Sequence, residues 1–214
     1  MRLGISSYCL DREIENGILT LDEAIDWAAK YGAECMELVP FAFRFDDEVT
    51  GKIDLAKIAA VKKRAKDAGL ALVNYSVLAD FCKEGEDLEK EIARVCHHVD
   101  IAAELGVPRM RHDVTAFRRP LNQNTLKDFD RWLPVLAESA KRVTEHAKKL
   151  GVMTLIENHG FFANGCDRVE RILNAVNDDN YGLLLDRSEE RRVGKDVRSG
   201  VDGGGRGRVE GGGG

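Results

Sequence analysis

Apolar and polar positions along the chain alternate between two rhythms. Short apolar runs of strand type occur at Leu3–Ser7, Cys35–Val39, Ala71–Ser76, Arg109–His112, Met153–Glu157 and Gly182–Asp186. Between them lie longer stretches with apolar residues at helical spacing. The first, Leu21–Tyr31, places Ala24, Ile25, Ala28 and Ala29 on one face behind Thr20 as N-cap. The others are Leu55–Ala68, Leu88–Leu105, Phe129–Leu150 and Cys166–Val176, and all but the last stop at a glycine (Gly69, Gly106, Gly151). The last runs into Asn177–Asn180. Strand, helix, turn, strand is the grammar of consecutive βα units, and it implies parallel strands. Strand starts recur at roughly 30–45 residues, as such crossovers require. The pattern predicts an α/β fold, a (β/α)8 TIM barrel with about six of its units present, since a complete barrel needs about 250 residues. An open doubly wound sheet is the alternative. No G-x-G-x-x-G follows any strand, which disfavours its dinucleotide-binding form.

The rhythm stops after Asp186. Ten of the chain's 21 glycines fall in 187–214, where the only sizeable apolar residues are four valines. Such a segment cannot bury enough surface to offset ordering. The expected organisation is therefore a partial barrel over 1–186, followed by a disordered, Gly-rich, non-native tail over 187–214. A basic RNA-binding tail is the rival reading of that segment, but it lacks aromatics and repeats.

Charge and cysteine content narrow the function classes. The formal net charge is -5, and the tail carries seven basic against five acidic residues, so the body alone carries -7. A nucleic-acid surface is not expected from that balance. No apolar stretch approaches a membrane span, and no signal-peptide h-region opens the chain. Cys9, Cys35, Cys82, Cys96 and Cys166 are scattered and form no C-x-x-C, so neither a disulfide framework nor a thiolate zinc site is expected. A cytoplasmic location follows as the expectation.

Chemistry in a parallel barrel gathers where strands end, and here those ends are polar. Glu37 closes the second predicted strand and Asn74-Tyr75-Ser76 the third; the fourth reads Met110-Arg111-His112-Asp113. Glu157-Asn158-His159-Gly160 closes the fifth strand and Asp186 the sixth. Glu157 and Asp186 close neighbouring strands, so their carboxylates could meet on Mn²⁺ or Mg²⁺, and imidazole would widen the choice to Co²⁺ or Zn²⁺. Helix capping or ion pairing explains the same two residues without a metal. His112 and His159 are candidates for holding substrate hydroxyls or the carbonyl, against a purely structural role. Arg111 could bind an anionic group or pair at the barrel mouth, and Glu37 could bind substrate or pair with a loop. His97, His98 and His146 lie in helical sequence and read as surface or packing residues, as do Trp27 and Trp132. Phe161-Phe162 could wall a pocket or pack a loop.

The segments LGISSY, MELVPF, MRHDV, LIENHG and LLLD, in that order on successive strands, resemble the xylose isomerase-like barrel superfamily, and within it the sugar phosphate isomerase/epimerases. The resemblance covers about residues 1–186. It implies one divalent metal held by a Glu after strand five and an Asp after strand six, which Glu157 and Asp186 match. It also implies a His after strand seven and a Glu after strand eight, which find no match here. The family usually continues its Asp with Gly-Asn, where this chain has Arg187-Ser188.

By that resemblance the function is a metal-dependent sugar or sugar phosphate isomerase/epimerase. Mn²⁺ is the first choice of metal, with Mg²⁺, Co²⁺ or Zn²⁺ as alternatives. The metal polarises the substrate carbonyl, and Glu157 moves a proton beside it to give an enediolate. Arg111, His112, His159 and Glu37 would bind a small sugar or hydroxy-carbonyl substrate. Activity is expected to be impaired in a chain lacking the last two ligands. A non-catalytic or decayed barrel fragment is the alternative. Endonuclease IV-type DNA repair ranks behind both, because it wants more histidines and a basic groove. Open sheet edges at the first and sixth strands predict self-association. Neither nucleic acid nor a membrane is expected as a partner.

Overall fold

In the computed structural model, residues 2–187 are described. The expected tail over 187–214 lies outside them except for Arg187. Six parallel strands form one sheet in sequential order: β1 (Gly4–Ser6), β2 (Cys35–Leu38), β3 (Ala71–Val77), β4 (Arg109–His112), β5 (Met153–Glu157) and β6 (Tyr181–Leu184). The helices are α1 (Asp11–Glu15), α2 (Leu21–Lys30), α3 (Leu55–Asp67), α4 (Gly85–Leu105), α5 (Leu126–Lys149) and α6 (Cys166–Val176). Sequential order with a helix after each of the first five strands is the arrangement of an incomplete TIM barrel. Among the described residues, β1 and β6 each have one neighbouring strand, so both outer edges are unpaired.

The structure adjusts the expected elements at their ends. β6 starts at Tyr181 and stops at Leu184 rather than reaching Asp186, because its partner β5 ends where Glu157 pairs with Leu184. The short α1, entered through a 3-10 turn at Ser7–Leu10, was not expected, because five residues are too few to show a period. α5 begins three residues earlier than its apolar rhythm, at a capping box in which Thr125 accepts from Asp128 N while Asp128 accepts from Thr125 N. The same box, built from Thr20 and Glu23, opens α2. α4 closes on Gly106 at φ 70, a left-handed position that glycine occupies without Cβ strain. Asn177 takes the same role after α6 at φ 46.

Period-2 alternation divides the sheet into two faces. Met36, Leu38, Tyr75, Val77, Met110 and Ile156 pack under the helices, all at most 3% exposed. Helix residues Ile25, Val95, Val99, Leu136, Val143 and Ile172 meet them in one continuous core. The other face of the strands looks toward the barrel axis and carries the polar residues. A register shift between Met36 and Glu37 brings Glu37 opposite Asn74, a bulge of the kind that re-aims a side chain.

One buried carboxylate fastens the sheet to α4. Glu91 accepts from Asp80 N (2.9 Å) and from Arg94 Nε and Nη2 (3.1 and 2.9 Å), and Arg94 Nη2 also donates to Leu78 O. This holds the loop after β3 against α4 and seats Phe81 in the core. Burial alone would raise the Glu91 pKa, but Arg94, the Asp80 amide and Lys83 together bring it down to about 2. An unfolded glutamate titrates near ~4.3. The Glu91 contribution is therefore complete above that value and is lost as pH falls toward about 2. Glu91→Gln is expected to destabilise the chain by about 2 kcal/mol at pH 7, and the difference from wild type in urea unfolding should shrink as pH falls from about 4 toward about 2. A difference unchanged between pH 7 and pH 3 would contradict this assignment.

Candidate metal and substrate site

The axis-facing residues at the C-terminal ends of β4, β5 and β6 follow an i, i+2 rule. Arg111 and then Asp113 extend β4, Glu157 and then His159 extend β5, and Leu184 and then Asp186 extend β6. Arg111 Nη2 lies 2.5 Å from Glu157 Oε2, and Arg111 Nη1 lies 3.2 Å from Asp113 Oδ1. His159 Nδ1 stands 3.4 Å from that same Asp113 oxygen. One ligand atom each from Asp113, Glu157 and His159 fall within 4.8 Å of one another. Asn158 pins Asp186 beside β5: its amide nitrogen donates to Asp186 O (2.8 Å) and its amide oxygen accepts from Asp186 N (2.7 Å).

The electrostatics follow from that crowding. Burial pushes the Glu157 carboxyl up, Asp113 and Asp186 add to the push, and Arg111 and His159 only partly oppose it. Burial works against protonation of His159, but its contact with Asp113 and the charges of Asp113 and Glu157 outweigh burial and raise its pKa. Asp113 is only 6% exposed. Asp113 Oδ2, Glu157 Oε2 and His159 Nδ1 are buried without a hydrogen-bond partner, so the Arg111–Glu157 contact is an ion pair without hydrogen-bond geometry. Asp113 Oδ2 left open and Glu157 Oε2 held only by an ion pair, together with an imidazole nitrogen, suit a hard divalent cation. The donor set therefore fits the metal that the sequence resemblance implies.

Two expected residues stand apart from this cluster. His112 is fully buried on the helix-facing side, with its ring beside Phe81 (5.8 Å) and Tyr181 (6.0 Å). Its Nδ1 meets Asp113 O at 2.9 Å. Alternation is the physical reason: with Arg111 toward the axis, His112 faces the core, away from the cluster of Asp113, Glu157 and His159. Glu37 does face the axis, but its carboxylate is held by Asn74 Nδ2 (2.8 Å) and by the Ser76 hydroxyl. Asp113 is the cluster member that the sequence reading did not single out. Its signal was present: it lies two residues after Arg111 and so on the same face. His97 pairs with Asp46 and His98 with the Tyr75 hydroxyl, both away from the mouth.

Two loops brace the cluster. Phe117, on the loop after β4, stacks on His159 with centroids 4.4 Å apart and 28° between planes. Arg168 of α6 donates to Asn124 Oδ1 (2.6 Å), Asn124 O (3.0 Å) and Phe162 O (2.9 Å), tying this loop to the one after β5. Its guanidinium lies over Phe129 and Phe162, each 5.2 Å away. Phe162 is core, whereas Phe161 is half-exposed near Phe117.

Comparison with known proteins places this geometry. A family profile described as a xylose isomerase-like TIM barrel matches residues 25–189. No curated protein matches the chain. Among solved structures, a sugar phosphate isomerase/epimerase from Parabacteroides distasonis is similar at 21% identity and TM-score 0.63, covering 94% of this chain and 70% of that one. A D-psicose 3-epimerase from Clostridium cellulolyticum, solved with D-tagatose, is similar at 18% identity and TM-score 0.71, over 89% of this chain and 65% of that one. A xylose isomerase-like TIM barrel/4-hydroxyphenylpyruvate dioxygenase fusion protein is similar at 20% identity and TM-score 0.65. It is covered over only 28% of its length, against 90% of this chain. At these identities the likeness establishes the fold.

Gly160 makes the brace possible. It sits at φ 74, and a Cβ there would lie 2.8 Å from Phe117 O. Gly160→Ala is expected to cost about 1–3 kcal/mol and to push Phe117 off His159. Thermal unfolding together with the imidazole proton shifts of His159 checks this. Unchanged values of both would contradict the proposed role.

Proposed function

Because the chain belongs to the xylose isomerase-like TIM barrel family, we propose that its site is that of a metal-dependent sugar or sugar phosphate isomerase/epimerase acting by enediolate proton transfer. The observation that carries the reading is the convergence of Asp113, Glu157, His159 and Arg111 at adjoining strand ends. Solved relatives named as sugar epimerases support a small sugar as substrate.

Glu157 and Asp186 would hold a divalent cation, Mn²⁺ first and Mg²⁺, Co²⁺ or Zn²⁺ next, with Asp113 and His159 as further donors. When bound, such a cation supplies Lewis-acid polarisation of a carbonyl and its neighbouring hydroxyl. Glu157 takes a proton from the carbon beside the substrate carbonyl and can return it. A positioned group of this kind contributes ~10²–10⁴-fold. Arg111 and His159 orient the substrate oxygens. Glu37, steadied by Asn74 and Ser76, receives a hydroxyl on the opposite side of the mouth. Self-association belongs to the same reading, since β1 and β6 carry unpaired edges among the described residues.

A binding-only role is the second reading. It is favoured by the described cluster drawing its donors from the ends of β4 and β5 alone. Proton exchange needs a single base, so it separates the two. With Mn²⁺ and D-fructose, D-tagatose or D-psicose in D₂O, the full chain is expected to exchange the C3 proton for deuterium. Glu157→Gln should slow that exchange by at least about 10²-fold. If folded, Mn²⁺-loaded chain exchanges none of these sugars, the catalytic reading fails and binding alone remains.

A further inference from the structure

We propose that Arg111 is a built-in rival of the cation: its guanidinium occupies the space between Asp113 and Glu157, and a divalent ion enters only as Arg111 swings away. The inference rests on reading the cluster as a metal site, and it adds what controls that site.

Arg111 belongs to the strand that supplies Asp113, and its side chain is only 12% exposed. Its two terminal nitrogens reach the two carboxylates that also belong to the candidate ligand set. A divalent ion touching the same oxygens would sit against the guanidinium, and two cations at that separation repel strongly where water is scarce. Arg111 is not locked in place by its remaining bonds. Nη1 donates to Val77 O at 3.2 Å, a long contact, while Nε is buried without a partner. The carboxylates are also left short: Asp113 Oδ2 lacks a hydrogen-bond partner, and Glu157 Oε2 meets Arg111 only as an ion pair without hydrogen-bond geometry. An arginine offers its donors in a fixed planar fork and cannot serve every oxygen of two carboxylates set at different angles. A metal ion has no such restriction, so it satisfies the same oxygens more fully. Arg111 therefore keeps the metal-free cluster neutral enough to fold and sets the threshold concentration at which metal replaces it.

The test is Mn²⁺ binding to the full chain, followed by electron paramagnetic resonance of free Mn²⁺. Arg111→Gln is expected to bind Mn²⁺ at least 10-fold more tightly than wild type. Arg111→Lys, which keeps the charge but loses the fork, should show a smaller gain and carries the test if the glutamine variant does not fold. Asp113→Asn and Glu157→Gln should each weaken binding. If wild type binds Mn²⁺ and removal of the guanidinium leaves affinity unchanged or lower, the rivalry is wrong while the metal site stands. If no variant binds Mn²⁺, the metal reading and this inference fall together. Thermal unfolding supplies a second readout. Arg111→Gln should melt below wild type without metal, and the gap should close at saturating Mn²⁺. A gap that persists would make Arg111 a structural brace.

Discussion

Carboxylates crowded at the ends of adjacent parallel strands must be neutralised, and much of the structure around the mouth answers to that requirement. Asp113 is buried and Glu157 largely so, and Asp186 lies close enough to raise the Glu157 pKa further. Isolated buried charge is costly. The metal-free chain meets the cost with Arg111 and His159, and it meets it incompletely, as the unpartnered oxygens show. A surface ion-pair network would let water complete the job. Here the core beneath and the stacked Phe117 above keep water scarce, so the site keeps an appetite for a compact cation.

That crowding depends on the parallel sheet. Parallel strands bring like ends together, and period-2 alternation sends i and i+2 to one face. Register then decides which side chains meet: Ser76 pairs with Arg111, Arg111 with Leu155, and Glu157 with Leu184. The helices contribute indirectly. Capping boxes at Thr20 and Thr125 and the left-handed turn at Gly106 fix where helices start and stop, and so where the next strand begins. Arg168 carries this further by using α6 to lock the two loops that frame the cluster.

The strand–helix rhythm was legible in the sequence because burial on one face leaves a periodic record. Among the described residues, five of the six helices and all six strands left such a record; α1, at five residues, is shorter than the period that would reveal it. The polar strand ends were legible too, since Glu157 and Asp186 each close an apolar run. Facing was harder to read. Both His112 and Asp113 stood in one polar string, and only the phase of β4 decides that His112 goes to the core and Asp113 to the axis. The bulge before Glu37 and the tight approach of Gly160 to Phe117 left no sequence signal beyond a glycine and a short strand, because both are set by contacts between distant segments.

The central claim is that the mouth cluster is a cation site, and diffraction addresses it most directly. Crystals of the full chain soaked in Mn²⁺ and measured at the manganese absorption edge should show an anomalous peak within about 2.5 Å of carboxylate oxygens of Asp113 and Glu157, with Arg111 moved from its metal-free position. No peak at the cluster, with the Arg111 guanidinium still between the two carboxylates at saturating Mn²⁺, would contradict the account.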